Sequence, residues 1–329
     1  MYDAAGTEEP ILKVDDLVKT FPVNQGILGG GGTVRAVDGV SLSVRRGETL
    51  GVVGESGCGK TTLGKTIMRL LRPDSGHIEL MGRDITHLDE AQLRPQRRNI
   101  QMVFQDPFSS LNPRLKNGRI VAEPLEIHGI GTASDRKTQV EEAFAKVGLR
   151  SEQAERYPHQ LSGGQRQRLG LARALVLEPS MIVADEPVSA LDVSVQAQVL
   201  NLMIDLQREM GLAYLFISHD LAVVEHIAHK VAVMYLGRIV EIADKRKLFS
   251  EPQHPYTEAL LAAVPVARTG TKGKRQILSG DVPSPVNPPA GCAFHSRCPL
   301  AKPICATTPP LLKPLSEGHA VACHLRPGD

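Results

Sequence analysis

The chain has 329 residues, 42% of them apolar and 22% charged, with 38 Lys and Arg against 36 Asp and Glu. That is enough for one large domain or about two ordinary ones, and too apolar for a wholly disordered chain. A net charge of +2 excludes polyanion binding by bulk charge, 4% aromatics without Trp speaks against a base-stacking platform, and no apolar run reaches the ~18 residues of a membrane span.

The N-terminal MYDAAGTEEP is acidic and has no apolar h-region. The expectation is therefore a chain without a signal peptide, kept in the cytoplasm. ILKVDDLVKTF (11–21) predicts a first strand. The Gly-rich stretch 26–33 carries no periodicity and reads as a loop or hairpin tip. VRAVDGVSLSV (34–44) alternates like a half-buried strand, and ETLGVVG (48–54) reads as a buried strand running into a turn. A helix is predicted over 61–71, with Leu63, Ile67, Leu70 and Leu71 on one face, ended by Pro73, Ser75 and Gly76.

Residues 106–160 are more polar and more helical, with an amphipathic helix at 138–149, and read as an insertion into an α/β core. The core resumes with a helix at 166–178, a buried strand at 180–187, a helix near 194–210 and a strand at 213–220. This alternation predicts a largely parallel sheet. Beyond residue 250 prolines become dense and a basic linker appears at 267–275. That linker is either solvated or set against anionic lipid headgroups. Residues 251–329 thus read as an extension with too little apolar periodicity to fold far without a clamp.

Of five cysteines, Cys58 stands apart and Cys292, Cys298, Cys305 and Cys323 share the extension. In a reducing compartment such a cluster reads as metal binding before disulfides. The spacing C-x5-C-x6-C-x17-C matches neither the tight pairs of zinc ribbons nor the common ferredoxin pattern, so zinc and iron–sulfur both stay open. His295, His319 and His324 lie close enough in sequence to replace a ligand.

GESGCGKTT (54–62) fits G-x-x-x-x-G-K-[ST] between a predicted strand and a predicted helix. Gly54, Gly57 and Gly59 let main-chain N–H groups turn towards a phosphate, and the helix start adds partial positive charge. Lys60 brings a full charge to the β- and γ-phosphates, and Thr61 offers a hydroxyl to Mg²⁺. Cys58 is read as a small residue turned away from phosphate in preference to a redox-sensitive thiol. MIVADEP places Asp185 and Glu186 at the exit of a buried strand, where parallel sheets hold their ligands. Asp185 suits Mg²⁺ and Glu186 suits an attacking water.

LSGGQRQR (161–168), with Ser162, Gly163 and Gly164 opening a helix near Gln165, is a second anion site of the same physical kind. With the phosphate loop and ADEP, it resembles the ATP-binding subunits of ABC transporters over about residues 11–265. The resemblance implies an α/β, RecA-like nucleotide-binding domain at 10–250 with a helical subdomain at about 106–165, and a C-terminal extension at 251–329. It implies ATP and Mg²⁺. Gly54, Glu55, Ser56, Gly57, Cys58, Gly59, Lys60, Thr61 and Thr62 would surround the phosphates, and Phe21 would stack on adenine or else be core. Thr61, Gln105 and Asp185 would serve Mg²⁺, with Gln105, Glu186 and His219 as the catalytic set. Ser162, Gly163, Gly164, Gln165 and Asp192 would serve ATP held by a partner subunit.

FQDPFSSLNPR (104–114), HPYTEALLAAVP (254–265) and GCAFHSRCP (291–299) resemble the dipeptide/oligopeptide importer branch. That branch implies a [4Fe–4S] cluster on the four cysteines, with zinc as the second possibility. It also implies a heterodimer with a second homologous ATPase, two transmembrane permease subunits, an extracytoplasmic solute-binding protein served indirectly, no nucleic acid, and a place on the cytoplasmic face of the membrane. Phe108, Leu111 and Leu115 would either meet a permease or pack inside the insertion. The alternatives are a soluble ATPase of iron–sulfur assembly, translation or DNA repair, or a metal-sensing regulator.

Overall fold

The computed structural model describes residues 9–23, 32–106, 110–263, 283–286 and 288–326. Phe108 and the basic linker 267–275 lie outside the described residues, as does most of the Gly-rich stretch 26–33. The chain groups into two compact units. One takes the residues up to Lys13, Ser43–Thr49 and Glu79–Ile217, and the other takes Val14–Leu42, Leu50–Ile78 and everything from Ser218 onward.

The first unit is built on three parallel strands, β6 (Ile100–Val103), β7 (Met181–Asp185) and β8 (Ala213–Ile217). Val183 of β7 stands between Met102 of β6 and Leu215 of β8. Every residue of β7 and β8 is buried, as in parallel strands covered on both faces. The helices α5 (Gly163–Leu175) and α6 (Val193–Met210) bury apolar stripes that include Leu169, Leu171 and Leu175 on one and Val199, Met203 and Leu206 on the other.

Between β6 and β7 the chain is mainly helical. Helix α3 (Asn117–Ile127) packs on α4 (Ala133–Lys146) and on α5. Helix α4 begins at Ala133, earlier than its apolar pattern predicts. Thr132 and Asp135 form a capping box there: the Thr132 N–H donates to Asp135 Oδ2 at 2.8 Å, and the Asp135 N–H donates to Thr132 Oγ1 at 3.3 Å. Helix α2 (Glu90–Gln96), absent from the sequence reading, starts in the same way on Asp89 and Gln92.

The second unit carries β3 (Thr49–Val53), parallel to β9 (Lys230–Tyr235). Beyond β9 the pairing turns antiparallel, through β10 (Arg238–Asp244) and β12 (His319–Val321) to β11 (Lys313–Ser316). The expectation of a largely parallel sheet holds for β3 with β9 and gives way beyond β9, where β10 returns after a tight turn and the extension adds two further short strands. The strands β2 (Gly32–Val44), β1 (Leu12–Val23) and β4 (Ser75–Leu80) follow one another in a smaller sheet.

Helix α1 (Lys60–Ile67) is shorter than its predicted span. Arg69 takes a left-handed φ of 55°, and the Leu70 and Leu71 N–H groups both fall back on the Lys65 carbonyl, at 2.9 and 3.2 Å. The helix is thus over well before Pro73, and Leu70 is 48% exposed, off the core face expected for it. Among the described residues no helix is long and apolar enough to cross a membrane.

Candidate functional site

The phosphate loop leaves β3 at Val53 and enters α1 at Lys60. Gly54, Gly57 and Gly59 have φ of 155°, 79° and 108°, values that L side chains rarely adopt. Gly59 is the N-cap of α1, and no side chain caps that helix start. Lys60 is buried, and its ammonium donates to the Gly54 carbonyl at 2.7 Å and the Glu55 carbonyl at 3.0 Å. Ser56 and Gly57 are exposed, while Thr61 and Thr62 are half-buried. An ammonium held inside a ring of main-chain groups at an open helix start is a site for a polyanion. Cys58 is buried and its thiol is raised by that burial, against the lowering effect of Lys60. This is the opposite of a thiolate activated by the loop.

In the first unit, Asp185 ends β7 and is buried, and Glu186 follows it. Glu186 has a left-handed φ of 47°, uncommon for a residue with a Cβ, and its N–H donates to the Ile217 carbonyl at 2.9 Å. Gln105, just after β6, donates from Nε2 to Glu186 Oε2 at 3.0 Å. The structure thus brings together two candidate catalytic residues that are 81 positions apart.

Ser162 caps α5 in a reciprocal box: the Gln165 N–H donates to Ser162 Oγ at 3.3 Å, and the Ser162 N–H donates to Gln165 Oε1 at 3.0 Å. A Cβ on Gly164 would stand 2.4 Å from Val195 Cγ1, so a small residue is required where α5 meets α6. Asp192 is exposed at the N-cap of α6. Leu111 is buried, which favours packing inside the insertion over a free docking side chain.

In the second unit, His219 is exposed one residue before Asp220, the N-cap of α7 (Leu221–Ile227). Phe21 lies half-buried in β1 with the Lys19 ammonium 5.5 Å from its ring centre, so it is not a core residue.

The four cysteines of the extension are near neighbours. Burial raises the Cys292 thiol to about 11, and Cys305, Cys323 and Cys298 add to the rise. Four thiols of one short segment are the right donors in kind for a soft metal. They lie on separate short elements, however: Cys298 follows a 3-10 turn, Cys305 sits in α10 (Pro303–Thr307), and Cys323 lies past β12. Among the described residues no three Cys, His, Asp or Glu side chains form a group that could hold a metal. Each of the nearby histidines engages one ring nitrogen. His295 Nδ1 lies 2.9 Å from the Cys292 carbonyl, His319 Nε2 lies 2.7 Å from Glu241 Oε1, and His324 Nε2 lies 2.8 Å from the Thr308 carbonyl.

The sequence reading missed the group that backs the phosphate loop. Tyr256, in α9 (Pro255–Ala263), is fully buried, and its hydroxyl accepts the Glu55 N–H at 2.9 Å. Tyr235 and Phe294 pack around it with ring centres 4.6 and 5.4 Å away. Arg297 is buried against these rings and donates to the Glu55 carboxylate through two nitrogens, at 2.8 and 2.9 Å. Glu241, on β10, was missed as well. It is fully buried, and its carboxylate accepts the Gln253 and His254 N–H groups, each at 2.8 Å. The sole sequence signal was the scarcity of aromatics, three of which meet here.

An ABC transporter family profile matches residues 37–189, and a profile for the oligopeptide/dipeptide transporter C-terminal region matches 240–305. The chain belongs to the ATP-binding subunits of ABC transporters and is an ATPase of that family. It is 55% identical over 325 residues to the oligopeptide transport ATP-binding protein AppF of Bacillus subtilis, covering 98% of this chain and 99% of that one. It is 56% identical over 319 residues to the probable peptide ABC transporter ATP-binding protein y4tS of Sinorhizobium fredii, covering 97% and 90%. Among solved structures, the ATP-binding cassette MJ0796 in a dimeric post-hydrolysis state bound to ADP and Pi matches at a TM-score of 0.63 and 27% identity, covering 71% of this chain and 99% of that one.

Proposed function

We propose that the chain powers an importer of dipeptides or oligopeptides. The observation that carries this reading is the coincidence, on one chain, of a transporter cassette and the oligopeptide/dipeptide C-terminal region. In this reading residues 10–250 are the cassette, with its helical subdomain at about 106–165, and 251–329 are the extension. The subunit works on the cytoplasmic face of the membrane. It pairs with a second homologous ATPase and drives two transmembrane permease subunits, to which an extracytoplasmic binding protein delivers the solute.

Each site residue then has a role. Phe21 stacks on adenine, and the loop of Gly54, Glu55, Ser56, Gly57, Cys58 and Gly59 surrounds the phosphates. Lys60 brings its charge to the β- and γ-phosphates, beside Thr61 and Thr62. The Mg²⁺ that arrives with ATP would offset the charge of the phosphates. Thr61, Gln105 and Asp185 are the residues to hold it. Glu186 takes the proton of the attacking water as the water oxygen bonds to the γ-phosphorus and the bridging oxygen leaves with ADP, and the hydrogen bond from Gln105 supports this by aiming its carboxylate. His219 reads the γ-phosphate. Ser162, Gly163, Gly164, Gln165 and Asp192 serve the nucleotide of the partner ATPase.

Cys292, Cys298, Cys305 and Cys323 would hold a [4Fe–4S] cluster, with zinc the second choice, as a staple for the extension. The kind of donor supports this. Iron with acid-labile sulfide in anaerobically purified protein is the expected result, and zinc without sulfide would overturn the cluster.

Two experiments test the function. Glu186→Gln should bind ATP as the parent does while steady-state hydrolysis falls by roughly 10²–10³-fold, within the range for loss of a general base. Undiminished turnover would remove Glu186 from its role. Gentle purification from native membranes should bring along two multispanning subunits and a second ATPase. Co-purification with ribosomal, repair or assembly factors instead would sink the importer.

A further inference from the structure

We propose that Arg297 is a positioning residue for nucleotide binding: reaching from the cysteine-rich extension, it latches the phosphate loop through Glu55. The inference rests on the ATPase reading of that loop and concerns how the loop is held.

All three polar groups of Glu55 are spoken for. Its N–H donates to Tyr256 Oη at 2.9 Å, and its carboxylate receives the Arg297 fork at 2.8 and 2.9 Å. Its carbonyl accepts the Lys60 ammonium at 3.0 Å. The first two partners belong to the region after residue 250, and the third is the charge meant for phosphate. The residues around Glu55 are not stiff in themselves, because Gly54 and Gly57 sit in glycine-type conformations on either side. The restraint must come from outside the loop.

Arg297 is suited to supply it. Its side chain is 6% exposed and that of Glu55 is 26% exposed. The guanidinium centre stands 5.9 Å from the ring centres of both Tyr235 and Phe294, and Nη1 also donates to Tyr235 Oη at 3.3 Å. A planar fork on a carboxylate fixes direction as well as distance, which a lysine ammonium does not. The packed rings hold the fork in place. Setting Glu55 in turn sets the carbonyl on which Lys60 rests.

The test uses the full-length chain and the dissociation constant for MgATP, with thermal unfolding measured without nucleotide. Arg297→Ala is expected to weaken MgATP on the order of tenfold, as loss of a charge-assisted bidentate contact does. Glu55→Gln should weaken it to a similar degree, and the double variant should be no weaker than either single one, since all three break one contact. Arg297→Lys should fall in between. Arg326→Gln, which alters an arginine of the same extension directed at Gln253 and Glu258, should leave affinity unchanged. A role confined to stability predicts a lower unfolding midpoint with unchanged affinity in the folded protein. Affinity within twofold of the parent for a folded Arg297→Ala, or effects that multiply in the double variant, would overturn the latch. If Arg297→Ala does not fold, Arg297→Lys and Glu55→Gln decide, and parental affinity in both sinks the proposal. A parent chain that binds no MgATP would instead sink the assignment of the loop itself.

Discussion

A methyl group at Gly59 would stand 1.9 Å from the Ala36 carbonyl oxygen, in a backbone with φ of 108°. Neither the backbone oxygen nor the dihedral can give way cheaply. Gly59→Ala is expected to cost about 3 kcal/mol or more and to abolish MgATP binding, read by urea unfolding and titration. The motif made this glycine legible, although the Ala36 carbonyl that enforces it was not. His254 is a different case. It is 1% exposed, and burial lowers its pKa from the ordinary 6.5 to about 4. Between those values the unfolded chain binds a proton that the folded chain refuses. Stability is therefore full above about pH 6.5 and drains as pH falls towards 4, by roughly 3 kcal/mol in all. His254→Gln should flatten that slope in urea titrations at successive pH values, even though its absolute stability is lower. The sequence offered His254 only as the first residue of HPYTEALLAAVP. Its physics is burial, with Nδ1 accepting the Tyr256 N–H at 3.1 Å.

Among elements, α5 was the easiest to place, because capping chemistry is local: Ser162 and Gln165 lie three residues apart and satisfy each other's main chain. Ser162→Ala should cost about 1 kcal/mol, measured by urea unfolding, since the N-terminal donors lose their acceptor. The strands β9 and β10 went unread. In β10 the register shifts between Ile239 and Glu241, a bulge that turns a glutamate inward. An alternation pattern takes Glu241 for a solvent-facing residue, yet it is fully buried and satisfied by Gln253, His254 and His319. No local signal announces partners that arrive from 12 to 78 positions away. Glu241→Ala would leave those donors stranded and should cost about 3–5 kcal/mol by the same measurement.

For the molecule as a whole, family and cassette were legible from three short motifs, while the part played by the extension was not. The extension seemed too weakly patterned to fold far, but β12 pairs with β10, with Glu241 opposite Val321 and Ala243 opposite His319. The outermost strand, β11, carries Lys313 and Pro314, residues that discourage further pairing. Ending the chain at Ala263 would expose β10 as an edge. Light scattering should then show concentration-dependent self-association that the full chain lacks.

The 242 positions between Glu55 and Arg297 also order events in time. A ribosome adding about 5–20 residues per second needs roughly 12–50 s to travel from one to the other. Throughout that interval a nascent chain owns a nucleotide loop and lacks the arginine fork that holds it still. Tight retention of ATP is then a property of finished molecules. An interrupted or clipped chain lacks it and does not compete with complete subunits for nucleotide.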